Sequence, residues 1–175
     1  MRALALARQV PSPNFDERPA GEPVTLAVLH SISLPPGEFG GDAIERLFTN
    51  RLDPGAHPAF AELRDLRVSS HFLVRRDGEL LQYVPLEKRA WHAGVSRWRG
   101  RAKCNDFSIG IELEGTDRHA FTDPQYAQLT ELIRGLRTRL PLRAIAAHSD
   151  IAPGRKSDPG ERFDWRRFFS LLGAR

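Results

Sequence analysis

The chain has 175 residues, 26 of them Lys or Arg against 22 Asp or Glu, for a formal net charge of +4. A composition that is 41% hydrophobic and 27% charged excludes intrinsic disorder, and no stretch approaches the roughly 18 apolar residues of a membrane-spanning helix. A domain of this size buries enough apolar surface to fold without disulfides, and Cys104, the single cysteine, can form none within the chain.

Residues 1–23 read as an extended N-terminal arm, since Pro11 to Pro23 is rich in helix and strand breakers. Only Ala3 to Ala7 is apolar between Arg2 and Arg8, too short for the core of a secretory signal peptide, so a cytoplasmic protein is expected. The run VTLAVL predicts a first strand over Val24–His30 that opens into ISLPPGEFGG. Asp42 with Glu45 then makes a capping signature for a short helix whose buried face is Ile44, Leu47, Phe48 and Leu52. His57 and Pro58 mark a turn.

SHFLVRR, Asp77-Gly78 and ELLQYV predict a hairpin in which Asp-Gly supplies the positive φ angles of a type I′ turn. A loop from Pro85 to Asp106 carries Trp91, His92, Trp98 and several basic residues, and loops this long in compact domains tend to be functional. Phe107–Glu114 alternates strictly, which predicts a strand with Phe107, Ile109, Ile111 and Leu113 on one face and both Glu112 and Glu114 on the other. Thr122 and Gln125 form a capping box for a helix with the stripe Tyr126, Leu129, Leu132, Ile133, Leu136 and Leu140, ended by Pro141. A short strand, Ala144–Ala147, delivers His148, and Asp164 caps a last helix docked through Trp165, Phe168, Phe169 and Leu172. Strands and helices alternate around one antiparallel hairpin, so a mixed α+β fold is expected: a single domain over residues 1–175 with a central mixed sheet flanked by helices.

His30 and His148 each end a predicted strand ahead of a Pro/Gly-rich loop, and Asp158 follows His148 within HSDIAPGRKSDPG. Two imidazoles and one carboxylate are a catalytic zinc set, with a fourth tetrahedral position left for water, although no H-E-x-x-H helix fixes the geometry. Activated water needs a base, and strand alternation leaves both Glu112 and Glu114 open for that role. Lys156 is positioned two residues before Asp158, where a fixed positive charge could offset an oxyanion. Singly, a strand-end histidine, a strand glutamate or a loop lysine is an ordinary structural residue; the combination carries the reading. Cys104 reads as structural, and the dispersed arginines read as a solvated basic surface suited to a small anionic substrate rather than to nucleic acid.

The segments HSISLPPGEFGGDAIERLFTNRLDP, AHPAF, LRVSSHFLVRRDGELLQYVPLEKRAWHAGVS, CNDFSIGIELEGTD and HSDIAPGRKSDPG, from about Val10 to Phe168, resemble the zinc amidases of the N-acetylmuramoyl-L-alanine amidase type 2 family. Within that family they resemble the subgroup acting on cytoplasmic anhydromuropeptides. The resemblance implies a fold shared with peptidoglycan recognition proteins and phage amidases, zinc on His30, His148 and Asp158, Glu112 as the catalytic base, and Lys156 as the residue stabilising the transition state. It further implies substrate contacts from Arg67, His71, Trp91 and Lys103, the two basic residues meeting peptide carboxylates. Ser31 stands where the family has asparagine, and Lys103 replaces an expected arginine, which loses the bidentate fork. The implied reaction is hydrolysis of the amide between the lactyl group of 1,6-anhydro-N-acetylmuramic acid and L-alanine during peptidoglycan recycling. A monomer acting on this small molecule, with neither nucleic acid nor membrane as partner, is expected. Two other readings share the fold: a lytic amidase of intact peptidoglycan, and a non-catalytic peptidoglycan-binding module, usually marked by loss of a zinc ligand.

Overall fold

The computed structural model describes residues 6–173. At its centre lie three neighbouring parallel strands, β3 (Leu26–Ile32), β9 (Ser108–Glu114) and β10 (Ala144–Ala147), with β3 in the middle. On the far side of β9, β4 (Phe72–Val74) runs parallel to it, then β5 (Leu80–Gln82) antiparallel to β4, then β1 (Arg8–Gln9) parallel to β5. The sheet is therefore mixed, in the order β1-β5-β4-β9-β3-β10 among the described residues. All seven residues of β9 are buried, including Ser108, Glu112 and Glu114, because strands flank it on both sides and other elements cover both faces.

One face of this sheet is closed by α2 (Asp123–Arg137) and α4 (Trp165–Leu172), whose Tyr126, Leu129, Leu132, Ile133, Leu136 and Phe168 pack on Ala27, Leu29, Ile109, Ile111 and Leu113. Both helices start as local chemistry dictates. Thr122 and Gln125 make the full capping box, and Asp164 accepts the Arg167 N–H at 2.8 Å. The α2 helix stops at Arg137, so Leu140 packs from beyond its end. The opposite face carries α1 (Ala43–Phe48), whose Ile44, Leu47 and Phe48 pack with Leu73, Leu81 and Tyr83.

Several expectations are corrected. Asp42 makes no capping hydrogen bond; its carboxylate pairs instead with Arg46 at 2.8 Å, and Leu52 packs on the core from beyond α1. In the β4–β5 hairpin only Gly78 of the Asp-Gly pair has positive φ, at 90°, and the Arg75 carbonyl accepts the Gly78 N–H at 2.9 Å. That is a three-residue loop closed by a left-handed glycine, not a type I′ turn. His30 does not end its strand, for β3 continues through Ser31 to Ile32.

The 85–106 segment is structured: β6 (Lys88–Ala90) pairs with β2 (Phe15–Glu17), β7 (Arg97–Trp98) with β8 (Arg101–Ala102), and a 3-10 turn begins at Cys104. Residues 8–17 of the arm thus contribute two paired strands, β1 and β2. Pro58–Leu63 forms a further 3-10 turn, capped by His57, whose Nδ1 accepts the Ala59 N–H at 3.1 Å.

Candidate metal centre

Strand register assembles the site. His30 of β3 lies opposite Glu112 of β9, and Ala147 of β10 lies opposite Leu29, so His148, the next residue, stands beside His30. Alternation turns Ala27 and Leu29 toward α2 and leaves Val28 and His30 on the other face. Three adjacent parallel strands consequently offer Glu112, His30 and His148 side by side, and the loop after α3 (His148–Ile151) returns Asp158 to them.

His30 Nδ1 is 2.9 Å from His148 Nδ1 and 3.1 Å from Asp158 Oδ2, and His148 Nδ1 is 3.0 Å from the same oxygen. Burial pushes the His30 imidazole down to about 4, even with the Asp158 carboxylate opposing it. Burial alone would raise Asp158, but the contacts of its Oδ2 with the His148 and His30 imidazoles more than offset it and hold the carboxyl below its usual range. Three electron-pair donors at such spacing repel one another unless a cation lies among them. Zinc with ligand bonds of about 2.0–2.1 Å spaces neighbouring donors by roughly 3.3 Å, so this cluster fits the ion after a small outward relaxation.

The two strand glutamates have different fates. Glu114 accepts from the Gly40 N–H at 2.7 Å, from Arg75 at 3.1 Å and from the Arg76 N–H at 3.1 Å. Glu112 is also buried, yet its Oε2 has no hydrogen-bond partner. Burial pushes the Glu112 carboxyl well above the ordinary range, the Asp158 charge adds to this, and Lys156 opposes it. A cleft of about 290 Å³ opens over these groups, with Ser31 and Lys156 also on its wall and Leu34, Leu47, Phe48, Leu63, Leu66 and Val68 forming an apolar side.

The remaining expected residues are not gathered in the same way. Arg67 is exposed between two cleft residues, Leu66 and Val68, with its guanidinium donating to the Arg64 and Leu66 carbonyls. Trp91 is half-buried and Lys103 is exposed, and neither is on the cleft wall. His71 does not line the cleft: it is fully buried, with Nδ1 accepting the Gly110 N–H at 3.0 Å and Nε2 lying 3.1 Å from the Lys88 carbonyl and 3.0 Å from Arg18. Burial and the Arg18 charge push its imidazole down to about 3. His92, which sequence reasoning left as an unassigned loop residue, does line the cleft, and its Nδ1 is 2.9 Å from His30 Nε2. The available signal was Gly110 on the glutamate face of β9, because a Cβ there would lie 2.4 Å from the His92 ring.

Two imidazoles, a carboxylate and an adjacent buried glutamate on a mixed α/β sheet are the arrangement of a mononuclear metallohydrolase. The chain belongs to the N-acetylmuramoyl-L-alanine amidase family, whose sequence profile matches residues 20–161. It is 62% identical over 171 residues to the 1,6-anhydro-N-acetylmuramyl-L-alanine amidase AmpD of Escherichia coli, covering 97% of this chain and 93% of that protein. The crystal structure of a selenomethionine AmpD derivative matches with a TM-score of 0.94 at 59% identity, covering 96% of this chain and 95% of that one. The amidase AmiD of E. coli, solved with the substrate anhydro-N-acetylmuramic acid-L-Ala-D-γ-Glu-L-Lys, matches at 28% identity and a TM-score of 0.64 over 90% of this chain and 65% of that one. Drosophila peptidoglycan recognition protein SD, at 18% identity and a TM-score of 0.59 over 87% of this chain and 83% of that one, shares the fold alone.

Proposed function

We propose that the chain forms one zinc amidase domain that hydrolyses the amide between the lactyl group of 1,6-anhydro-N-acetylmuramic acid and L-alanine in soluble anhydromuropeptides, within cytoplasmic peptidoglycan recycling. The observation that carries this reading is the buried, unpartnered Oε2 of Glu112 beside three converging metal donors. The names of the relatives supply the substrate class. His30, His148 and Asp158 hold the ion. When bound, zinc polarises the scissile carbonyl and lowers the pKa of a coordinated water to about 7.

Glu112 takes a proton from the attacking water as the new C–O bond forms at the lactyl carbonyl. The same carboxyl returns that proton to the alanine nitrogen as the C–N bond breaks. Its elevated pKa suits both halves of this transfer, since a carboxylate in the ordinary range is too weak a base near neutrality. Lys156 lies on the cleft wall and balances charge that develops on the carbonyl oxygen. Arg67 at the rim meets a carboxylate of the stem peptide. Trp91 and Lys103 stand off the wall, and their roles as pocket aromatic and peptide-carboxylate partner rest on the family resemblance alone.

The test is mass spectrometry of soluble anhydromuropeptide and of intact sacculi after incubation with protein, with and without a chelator. Release of 1,6-anhydro-N-acetylmuramic acid and free peptide, abolished by chelator and restored by zinc, is expected. Release from sacculi alone would favour the lytic reading, and a purified protein with no bound zinc and no turnover would favour a binding module.

A further inference from the structure

Proton positions around the metal donors can be worked inward from two backbone carbonyls, because a carbonyl oxygen only accepts. Ser108 Oγ lies 2.6 Å from the Cys104 carbonyl, so its single proton goes there. The hydroxyl then offers only lone pairs to His92 Nε2, 3.2 Å away, and that nitrogen must carry the His92 proton. His92 Nδ1 is left bare and accepts the N–H of His30 Nε2 at 2.9 Å. His30 Nδ1 therefore keeps its lone pair, directed at Asp158 Oδ2 and His148 Nδ1. On the other side the Ala93 carbonyl, 3.2 Å from His148 Nε2, takes that proton and bares His148 Nδ1 in the same way.

We infer that His92 and Ser108 are positioning residues of the metal centre: the chain from the Cys104 carbonyl through Ser108 and His92 locks His30 in the tautomer whose Nδ1 is free to bind metal. The inference rests on the proposed zinc site and deepens it, by naming what fixes a ligand's tautomer and ring orientation. Partners of this kind raise ligand basicity, and their loss costs about 10–100-fold in metal affinity. The relay also explains the glycine in SIGIELE. His92 occupies the space over Gly110, where a Cβ would lie 2.4 Å from His92 Cγ and 2.6 Å from Cδ2. The Ala93 carbonyl that sets His148 is held in turn by Arg155, which donates to it and to the Val95 carbonyl, each at 2.7 Å. The tautomers of both imidazole ligands are thus dictated from one stretch of chain, residues 92–108.

The experiment uses full-length chain stripped of metal and titrated with zinc against a fluorescent chelator. Variants are His92→Leu, His92→Asn, whose Oδ1 can still accept near the Nδ1 position, and Ser108→Ala. His92→Leu should weaken zinc binding by about 10–100-fold, His92→Asn should recover most of that loss, and Ser108→Ala should weaken binding less than His92→Leu. Independently of metal, nitrogen NMR of the stripped wild type should report His30 protonated on Nε2, with Ser108→Ala giving a mixture of tautomers. Zinc affinity of His92→Leu within twofold of wild type, or a wild-type His30 protonated on Nδ1, would overturn the relay while leaving the zinc site standing. A wild type that binds no zinc would instead sink the zinc reading itself.

Discussion

Replacing Glu112 by glutamine should make the zinc-free protein more stable while nearly abolishing turnover. The carboxyl is about nine-tenths buried, and its Oε2 has no partner. Burial pushes its pKa well above the ordinary 4.5, so between that value and the folded pKa the native state binds more protons than the unfolded chain. Whatever stability Glu112 contributes is present below pH 4.5 and is lost as pH rises through the folded pKa, at about 1.4 kcal/mol for each unit of elevation. Glutamine keeps the shape and carries no charge, so the variant should melt higher than wild type near pH 7, with the gap closing toward pH 4. Loss of a general base costs about 10²–10⁴ in kcat, or roughly 3–5 kcal/mol of barrier. The measurements are calorimetry of stripped protein across that pH range, zinc content by elemental analysis, and turnover of soluble anhydromuropeptide. A variant with near wild-type kcat would refute the base assignment; one that melts lower at pH 7 would refute the view that a buried, unpartnered carboxylate strains the fold.

Other outcomes follow from the same geometry. Gly110→Ala should destabilise by about 1–3 kcal/mol, since a Cβ 2.4 Å from the His92 ring forces rearrangement; urea unfolding checks this, and a neutral result would place His92 elsewhere. His71 is neutral in the fold down to about pH 3, so stability should decline as pH falls from its ordinary 6.5 toward that value, by about 1.4 kcal/mol per unit for this one group. His71→Asn should flatten that slope in unfolding series at pH 7, 6 and 5, and an unchanged slope would remove His71 as a source. Arg75 is buried between Glu114 and Glu45, so Arg75→Met takes a guanidinium from each but leaves Glu114 its two backbone N–H donors and Glu45 its pair with Arg8; it should cost about 1–3 kcal/mol, whereas Arg46→Ala, in an exposed pair with Asp42, should cost under about 1 kcal/mol in the same assay.

Legibility in the sequence followed the range of the interaction that set each feature. The α2 cap needs only Thr122 and Gln125, and the β10 strand only four apolar residues, so both are visible locally. The hairpin was visible from Asp77-Gly78, but its turn type was not, because pairing of Arg75 with Glu79 adds a residue to the loop. The strands β1 and β2 are two and three residues long and pair with partners about 70 positions away, which no local pattern encodes. Among candidate ligands, His30, His148 and Asp158 were readable because each stands beside a Pro/Gly-rich loop, and the structure brings all three together. His71 was expected from the resemblance to meet substrate, yet its position between Arg18 and the Gly110 N–H buries it off the cleft. His92 was the converse: its meaning lies in a neighbour, His30, that is 62 residues away.

Alternation put Glu112 and Glu114 on one face with nothing to separate them, and the separation turns out to be one of partners rather than of burial. Both are inside, but Glu114 has a guanidinium and two backbone N–H groups, whereas the free oxygen of Glu112 has none. Asp158 makes the opposite contrast with Glu112. It too is largely removed from solvent, but the two imidazoles against it hold its carboxyl low, while burial and the nearby Asp158 charge drive Glu112 high. A pair of carboxylates whose environments push their pKa values apart divides the labour of hydrolysis: the low one stays ionised as a metal ligand, the high one can take and return a proton near neutrality. That division depends on register. Shifting β9 by one residue against β3 would bring Ile111 or Leu113 opposite His30 and turn Glu112 toward α2, leaving the three metal donors intact but without a base.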